Sequence, residues 1–199
     1  MATTSDEAVR PRSRHADPLV VVSPTGEALG EATVWDAHQA PGTLHRAVSV
    51  QLVDDDDRWL VQQRAASKAL FAGRWANTCC THPRPGEGLV ECARRRLREE
   101  LSVDAGPLDV VGGFTYRAED TTSGMVEHEH DVVIVGRVGR LLVLDPDPAE
   151  VDELRWVPWS EARWMVGHPT SGAPWAPRVL QLARVHLADG RRRSPEVRP

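Results

Sequence analysis

Asn77-Thr78-Cys79-Cys80-Thr81-His82-Pro83 runs, through Arg84-Pro85-Gly86-Glu87-Gly88, into Leu89-Val90-Glu91-Cys92-Ala93-Arg94-Arg95-Arg96-Leu97-Arg98-Glu99-Glu100-Leu101. In the second half Leu89, Ala93, Leu97 and Leu101 recur at helical spacing, so Leu89–Leu101 is predicted to be a helix with one apolar stripe. Most other positions carry Arg or Glu. Charges so spaced pair three and four residues apart, and a solvated face is their ordinary meaning. The first half is less ordinary, with two thiols and an imidazole within four residues. Adjacent cysteines meet disulfide geometry only with strain, so a thiol beside a metal-competent imidazole points to chemistry.

On either side of this stretch strands and helices alternate. Leu19–Val22 reads as a strand followed by a Pro24-Thr25-Gly26-Glu27 turn, and Trp35–Gln39 as a helical turn. Ala47–Val53 and Arg58–Gln63 read as strands around Asp54-Asp55-Asp56-Asp57. That acidic run resembles a metal site, but Asp is also favoured in tight turns for its local hydrogen bonds, and the turn reading is preferred. Val110–Tyr116, Met125–Val138 and Leu154–Val157 complete the predicted strands, with helices at Trp159–Met165 and Pro174–Leu187. The fold class is therefore α/β (α+β), a mixed sheet sandwiched between helices.

Composition sets the bounds. At 199 residues the chain has room for one domain. That domain is expected over 18–190, with 1–17 and 191–199 as polar, disordered ends. A formal charge of −5 speaks against a general nucleic-acid or membrane-surface binder. No apolar run approaches the ~20 residues that span a bilayer. Three cysteines without framework spacing suit a reducing cytoplasm. Of 24 basic residues only Lys68 is lysine, and an ammonium acts on phosphate as a compact point charge where Arg offers a planar fork.

Several side chains invite a metal. Glu127-His128-Glu129-His130 alternates along a predicted strand, so both Glu share one face and both His the other. Paired buried carboxylates are costly without a cation. With His38, His45 and His82 the run offers a His-rich, carboxylate-containing shell suited to Mn²⁺, Mg²⁺ or Zn²⁺, while spacing alone leaves open which strand face meets it.

Taken together the residues resemble the type I isopentenyl-diphosphate Δ-isomerases, which have the Nudix fold. The matching segments, in order, are Thr43–Ala47, Arg64–Lys68, Trp75–Pro83, Tyr116–Ala118 and Gly124–Glu129. The resemblance covers roughly Pro18 to Pro177, and several motifs in order are far more specific than one. It also exposes an eroded Nudix signature, G-x5-E-x7-R-E-U-x-E-E-x-G-U, where U is bulky and apolar. Glu87, Arg95, Leu97, Glu99, Glu100 and Val103 match it, while Thr81, Arg96 and Ser102 replace two glycines and a glutamate. An Arg within the acidic cluster argues against pyrophosphate hydrolysis.

The resemblance implies a prenyl diphosphate substrate, isomerised by protonation and deprotonation of its alkene. By position it makes Cys80 and Glu129 the acid/base pair, supported by Tyr116. It assigns His38, His45, His82, Glu127 and Glu129 to a metal. It gives the diphosphate to Arg64, Lys68 and Arg96, with a second Mg²⁺ through Glu100, and sets Trp175 against the carbocation. His128 and His130, on the other strand face, are not expected to be ligands. A monomer or weak homodimer is expected, with neither nucleic acid nor membrane as partner.

Thr81, Ala76 and the Ala176-Pro177-Arg178 run depart from the family's usual residues. They leave open a reshaped pocket that takes a longer prenyl chain or cyclises an alkene. A Nudix diphosphohydrolase and a non-catalytic metal-binding module stand further behind.

Overall fold

The computed structural model describes residues 14–193, with side chains over 15–189. In chain order the elements are β1 (Pro18–Val22), β2 (Ala28–Thr33), α1 (Val34–Ala37), β3 (His45–Asp54), β4 (Trp59–Arg64), β5 (Trp75–Ala76) and β6 (Cys79–Thr81). Then follow α2 (Leu89–Leu101), β7 (Leu108–Glu119), β8 (Val126–Val138), β9 (Val151–Val157), α3 (Trp159–Gly167) and α4 (Ala176–Arg193).

Strand β3 organises the sheet. One edge pairs in parallel with β8 along its whole length, from His45↔Glu129 to Asp54↔Val138. The other edge is shared by β1 at His45, β6 at Val48–Val50 and β4 at Val53. Beyond the hairpin β4 pairs with β9, while β7 lies antiparallel on β8. Because β3 is covered on both faces, its burial does not alternate, and nine of its ten residues are buried.

Its side chains nevertheless alternate between two cores. Val48, Val50 and Leu52 pack with Cys92, Ala93, Leu97 and Leu101 of α2. Val53 joins Val133 and Val135 of β8 under Val179, Leu180 and Ala183 of α4. The α2 stripe is thus buried as the spacing predicts, and each fully buried leucine contributes about 1.5–3 kcal/mol. Counting back by twos from Val133 and Val53 places Asp131, Glu129, Glu127, Ser49 and His45 on the α4 side. That parity gathers the chemistry on one face.

Three strands lie where none is predicted. Strand β2 is mostly exposed and carries Ala, Gly and Glu, so only its pairing with β1 reveals it. Strands β5 and β6 are too short for a periodic signal and are held by β4 and β3. The Asp54–Asp57 run is a turn, with Asp54 Oδ1 accepting from the backbone N–H of Asp56 and Arg58.

The limits shift outward. A 3-10 turn at Arg14–Ala16 falls within the segment expected to be disordered, and His15 stacks on Trp35 with ring centroids 4.8 Å apart. Helix α4 runs through Gly190 to Arg193. A helical glycine costs about 1 kcal/mol, which the good helix formers around it can offset. Of the two expected tails, 1–13 and 194–199 lie outside the described residues. Among the described residues no helix is long and apolar enough to cross a membrane.

Candidate active site

Four elements deliver the metal-competent side chains. His38 caps the C-terminus of α1, His45 opens β3, His82 follows β6, and Glu127 and Glu129 face the same way on β8. One ligand atom from each of the five lies within 4.8 Å of every other. His38 Nε2 is 2.9 Å from Glu127 Oε2, and His82 Nε2 is 2.9 Å from Glu129 Oε1. His45 Nε2 lies 3.6 Å from Glu129 Oε1 and 3.2 Å from His82 Nε2.

The backbone selects the tautomers. His38 Nδ1 is 2.6 Å from Val34 O, and His45 Nδ1 is 2.7 Å from Thr43 O. A carbonyl only accepts, so each Nδ1 carries a hydrogen and each Nε2 faces inward, where its lone pair becomes available on losing its proton. Inward-facing imidazole lone pairs and two buried carboxylates form a set of acceptors that a divalent cation would satisfy. The residues fit such an ion by donor chemistry as well as spacing.

Burial disfavours charged His38, yet Glu127 outweighs it and raises the imidazolium to about 9. His82 is lowered, by burial first and also by its imidazole neighbours. Burial opposes an ionised Glu129, but its contacts with His45 and His82 hold it well below the usual carboxylate range. Tyr116 pairs with Glu129 across β7 and β8 and donates to its Oε2 at 2.6 Å. Burial and the nearby carboxylates push that phenol well up.

The pleat of β6 divides the two cysteines. Cys79 is fully buried against α2, while Cys80 turns to the cavity. Around Cys80 Sγ stand Ser49 Oγ at 3.2 Å, Asn77 Nδ2 at 3.2 Å and Trp175 Nε1 at 3.1 Å. Trp175 also donates to Asn77 Oδ1 at 3.1 Å. The indole therefore engages the thiol through its N–H edge, while Arg64 lies over the ring at 5.4 Å. Burial above all, with Asp131 adding, pushes the Cys80 thiol up.

At the other end of the same cavity Arg96 is 1 % exposed. It pairs with Glu100 through Nε and with Glu150 through Nη2 at 2.8 Å, and Lys68 pairs with the second Glu150 oxygen. The replacement of an acidic signature position by Arg96 thus places a buried cation between carboxylates. Burial raises Glu100 despite Arg96 and Lys68, whereas at Glu150 those two cations outweigh burial and lower it to about 2. Arg64 donates to Leu70 O and Phe71 O, which fixes its guanidinium at the cavity wall.

All the residues singled out from sequence for chemistry therefore meet around one cavity of about 350 Å³, except that His45 and Glu100 lie just behind its lining. His128 and His130 point the other way, to Gly42 O and to Thr115. Four further polar residues were not anticipated. Asp131 was legible, since Glu127-x-Glu129-x-Asp131 extends one strand face. Ser49, Asn77 and Glu150 carry no such signal, because strand pairing and a loop bring them in.

Residues 43–183 match the NUDIX domain. Solved structures share the fold at low identity. DR0079 from Deinococcus radiodurans covers 84 % of this chain and 99 % of its own at TM-score 0.67 and 17 % identity. A MutT protein from Methanosarcina mazei Go1 covers 72 % and 95 % at TM-score 0.58 and 17 % identity. The isopentenyl-diphosphate Delta-isomerase of Nocardia farcinica is 49 % identical over 83 % of this chain and 94 % of its own. Those of Halorhodospira halophila and Streptomyces coelicolor are 40 % and 42 % identical, over 82 % and 83 % of this chain and 93 % and 83 % of theirs. The chain belongs to the Nudix family and, within it, to the isopentenyl-diphosphate Δ-isomerases.

Proposed function

We propose that the protein interconverts isopentenyl and dimethylallyl diphosphate in isoprenoid biosynthesis, with Cys80 and Glu129 as the two proton-handling walls of the cavity. The convergence of a hydrogen-bonded thiol, a five-residue His/Glu cluster and a cationic end on one cavity carries this reading. In the forward direction the alkene's π electrons take a proton at the terminal carbon, leaving a tertiary cation. The neighbouring carbon then loses a proton, and its C–H electron pair becomes the new double bond. Whichever wall gives the proton in one direction takes it in the other. An unactivated alkene is a weak base, so proximity and exclusion of water carry much of the barrier reduction.

His38, His45, His82, Glu127 and Glu129 would hold Mn²⁺, Mg²⁺ or Zn²⁺, which would withdraw charge from the Glu129 carboxyl and fix its orientation. Tyr116 steadies the opposite oxygen of Glu129. Trp175 presents its indole to the developing cation. Arg64, Lys68 and Arg96 would take the diphosphate, and Glu100 would help hold a second Mg²⁺ that neutralises its charge. The cavity is near the small end of ligand sites, about 300–1,000 Å³, which favours a five-carbon substrate over a longer prenyl chain. Our reading places the enzyme in the cytoplasm as a monomer or weak homodimer, with neither nucleic acid nor membrane as partner.

Incubating purified protein with isopentenyl diphosphate and Mg²⁺, before and after chelation, tests it. Dimethylallyl diphosphate is expected, and its loss in Cys80→Ala. Phosphate release that survives Cys80→Ala would instead mean hydrolysis, and turnover of only longer substrates would mean a reshaped pocket.

A further inference from the structure

Glu127, Glu129 and Asp131 share one face of β8, yet Asp131 has no part in the five-residue cluster. It is fully buried, and its Oδ2 accepts a hydrogen bond from Ser49 Oγ at 2.7 Å. Its Oδ1 has no hydrogen-bond partner among the described residues. A buried carboxyl with an idle oxygen destabilises a fold, so packing does not account for it. Ser49 is also buried, and the same oxygen lies 3.2 Å from Cys80 Sγ, on strands paired at Ser49↔Cys80. A file of three groups, Asp131, Ser49 and Cys80, therefore runs from the sheet interior to the cavity wall.

We propose that Ser49, oriented by Asp131, is a positioning residue that holds the Cys80 sulfur in place while its proton comes and goes. The inference rests on the reading of Cys80 as a proton-handling group. A hydroxyl has one hydrogen and two acceptor lone pairs. With its hydrogen given to Asp131, Ser49 turns a lone pair to the thiol; rotated, the same hydroxyl donates to the thiolate. Asn77 Nδ2–H and Trp175 Nε1–H donate to the sulfur at 3.2 and 3.1 Å but cannot accept from it. Asn77 Oδ1 can accept the thiol hydrogen, at 3.3 Å, but it also receives the indole N–H. Ser49 is thus the partner at the thiol able to act both ways through a single atom.

The test is steady-state kinetics with isopentenyl diphosphate on the wild type, Ser49→Ala, Ser49→Thr, Asp131→Asn and Cys80→Ala, each checked for folding by circular dichroism and thermal midpoint. Ser49→Ala is expected to lower kcat about 10-fold or more with KM within about two-fold, the mark of an interaction that serves the reaction and not binding. Ser49→Thr keeps the hydroxyl and is expected to recover most of the rate. Asp131→Asn retains an oxygen that can accept from Ser49, so its kcat is expected between those of Ser49→Ala and the wild type. Wild-type kcat in a folded Ser49→Ala, beside an inactive Cys80→Ala, overturns the inference alone. An active Cys80→Ala overturns the reading beneath it. Equal loss of kcat and thermal midpoint in Ser49→Ala and Ser49→Thr, without rescue, makes the residue structural and also overturns the proposal.

Discussion

The two ends of the cavity are built on opposite electrostatic plans. At the His/Glu end the buried groups are nearly all acceptors, with His45 Nε2 and His82 Nε2 facing each other at 3.2 Å. At the end proposed to take the diphosphate the cations are already matched, with Arg96 between Glu100 and Glu150 and Lys68 on the latter. The first end is completed by adding a cation. The second is self-consistent before any ligand arrives, so on the proposed reading its residues serve the fold as well as the substrate. The contrast teaches that change at the first end should show chiefly in rate, and change at the second in stability as well.

The largest effect is expected from Glu129→Gln. On the proposed reading it removes one proton-handling wall and a metal ligand, and general acid–base catalysis contributes typically about 10²–10⁴-fold. A fall of at least that size in kcat is expected, with lower metal content by elemental analysis. A variant with full metal and near-normal kcat would break the comparison at its first end.

Arg96→Ala comes next and strikes the second end. Removing one member of a buried pair leaves uncompensated charge and costs about 3–5 kcal/mol. At about 2–4 °C per kcal/mol for a chain of this size, the thermal midpoint should drop by about 6–20 °C. The drop should exceed that of Glu129→Gln, and KM should rise in whatever enzyme remains folded. If Arg96→Ala melts like the wild type, the two ends do not differ as argued.

Those two residues also show how much was legible beforehand. Period two puts Glu127 and Glu129 on one strand face, but only the family resemblance gives Glu129 a role. The same rule reaches Asp131, which lies one step beyond the Glu-His-Glu-His run on the same strand face. For Arg96 the resemblance implies a diphosphate contact, and the eroded signature an argument against hydrolysis. Its burial between carboxylates was not readable, since Glu150 comes from a loop that no periodicity places. Ser49 and Asn77 were hidden for a similar reason. Each gains its meaning from a strand pairing, Ser49↔Cys80, or a side-chain bond, Trp175 to Asn77. The helix α2 was legible to the residue because its stripe, charges and boundaries agree, whereas the short strands β5 and β6 carry too few residues to show any period.

Acid separates the two carboxylates around Arg96. Glu150 is lowered to about 2 from an ordinary value near 4.5. Its ionised form therefore stabilises the fold fully above pH ~4.5, and that contribution is lost as pH falls toward 2. Glu100 is raised, so its linkage has the opposite sign: protonation favours the folded state as pH falls through the raised value. In urea unfolding, Glu150→Gln should lose stability less steeply than the wild type from pH ~5 to ~2.5, whereas Glu100→Gln should depart from the wild type only above pH ~4.5, lacking the stability gained there as pH falls. Parallel curves would show that Arg96 and Lys68 do not distinguish the two.

The smallest effect belongs to Ser102→Gly, at the C-terminus of the helix that carries Arg96 and Glu100. Ser102 adopts φ 57°, the left-handed conformation at the position where the signature has glycine. A side chain there costs of order 1–2 kcal/mol, partly offset by the hydrogen bond from Ser102 Oγ to Asp145 O at 3.2 Å. Glycine should raise stability by about 0.5–1 kcal/mol, while kcat and KM stay as they are. The helix end is thus a control on the whole comparison. If relieving strain there changes KM, the diphosphate end is coupled to the geometry of α2 itself, and its charges are not poised by Glu100 and Glu150 alone.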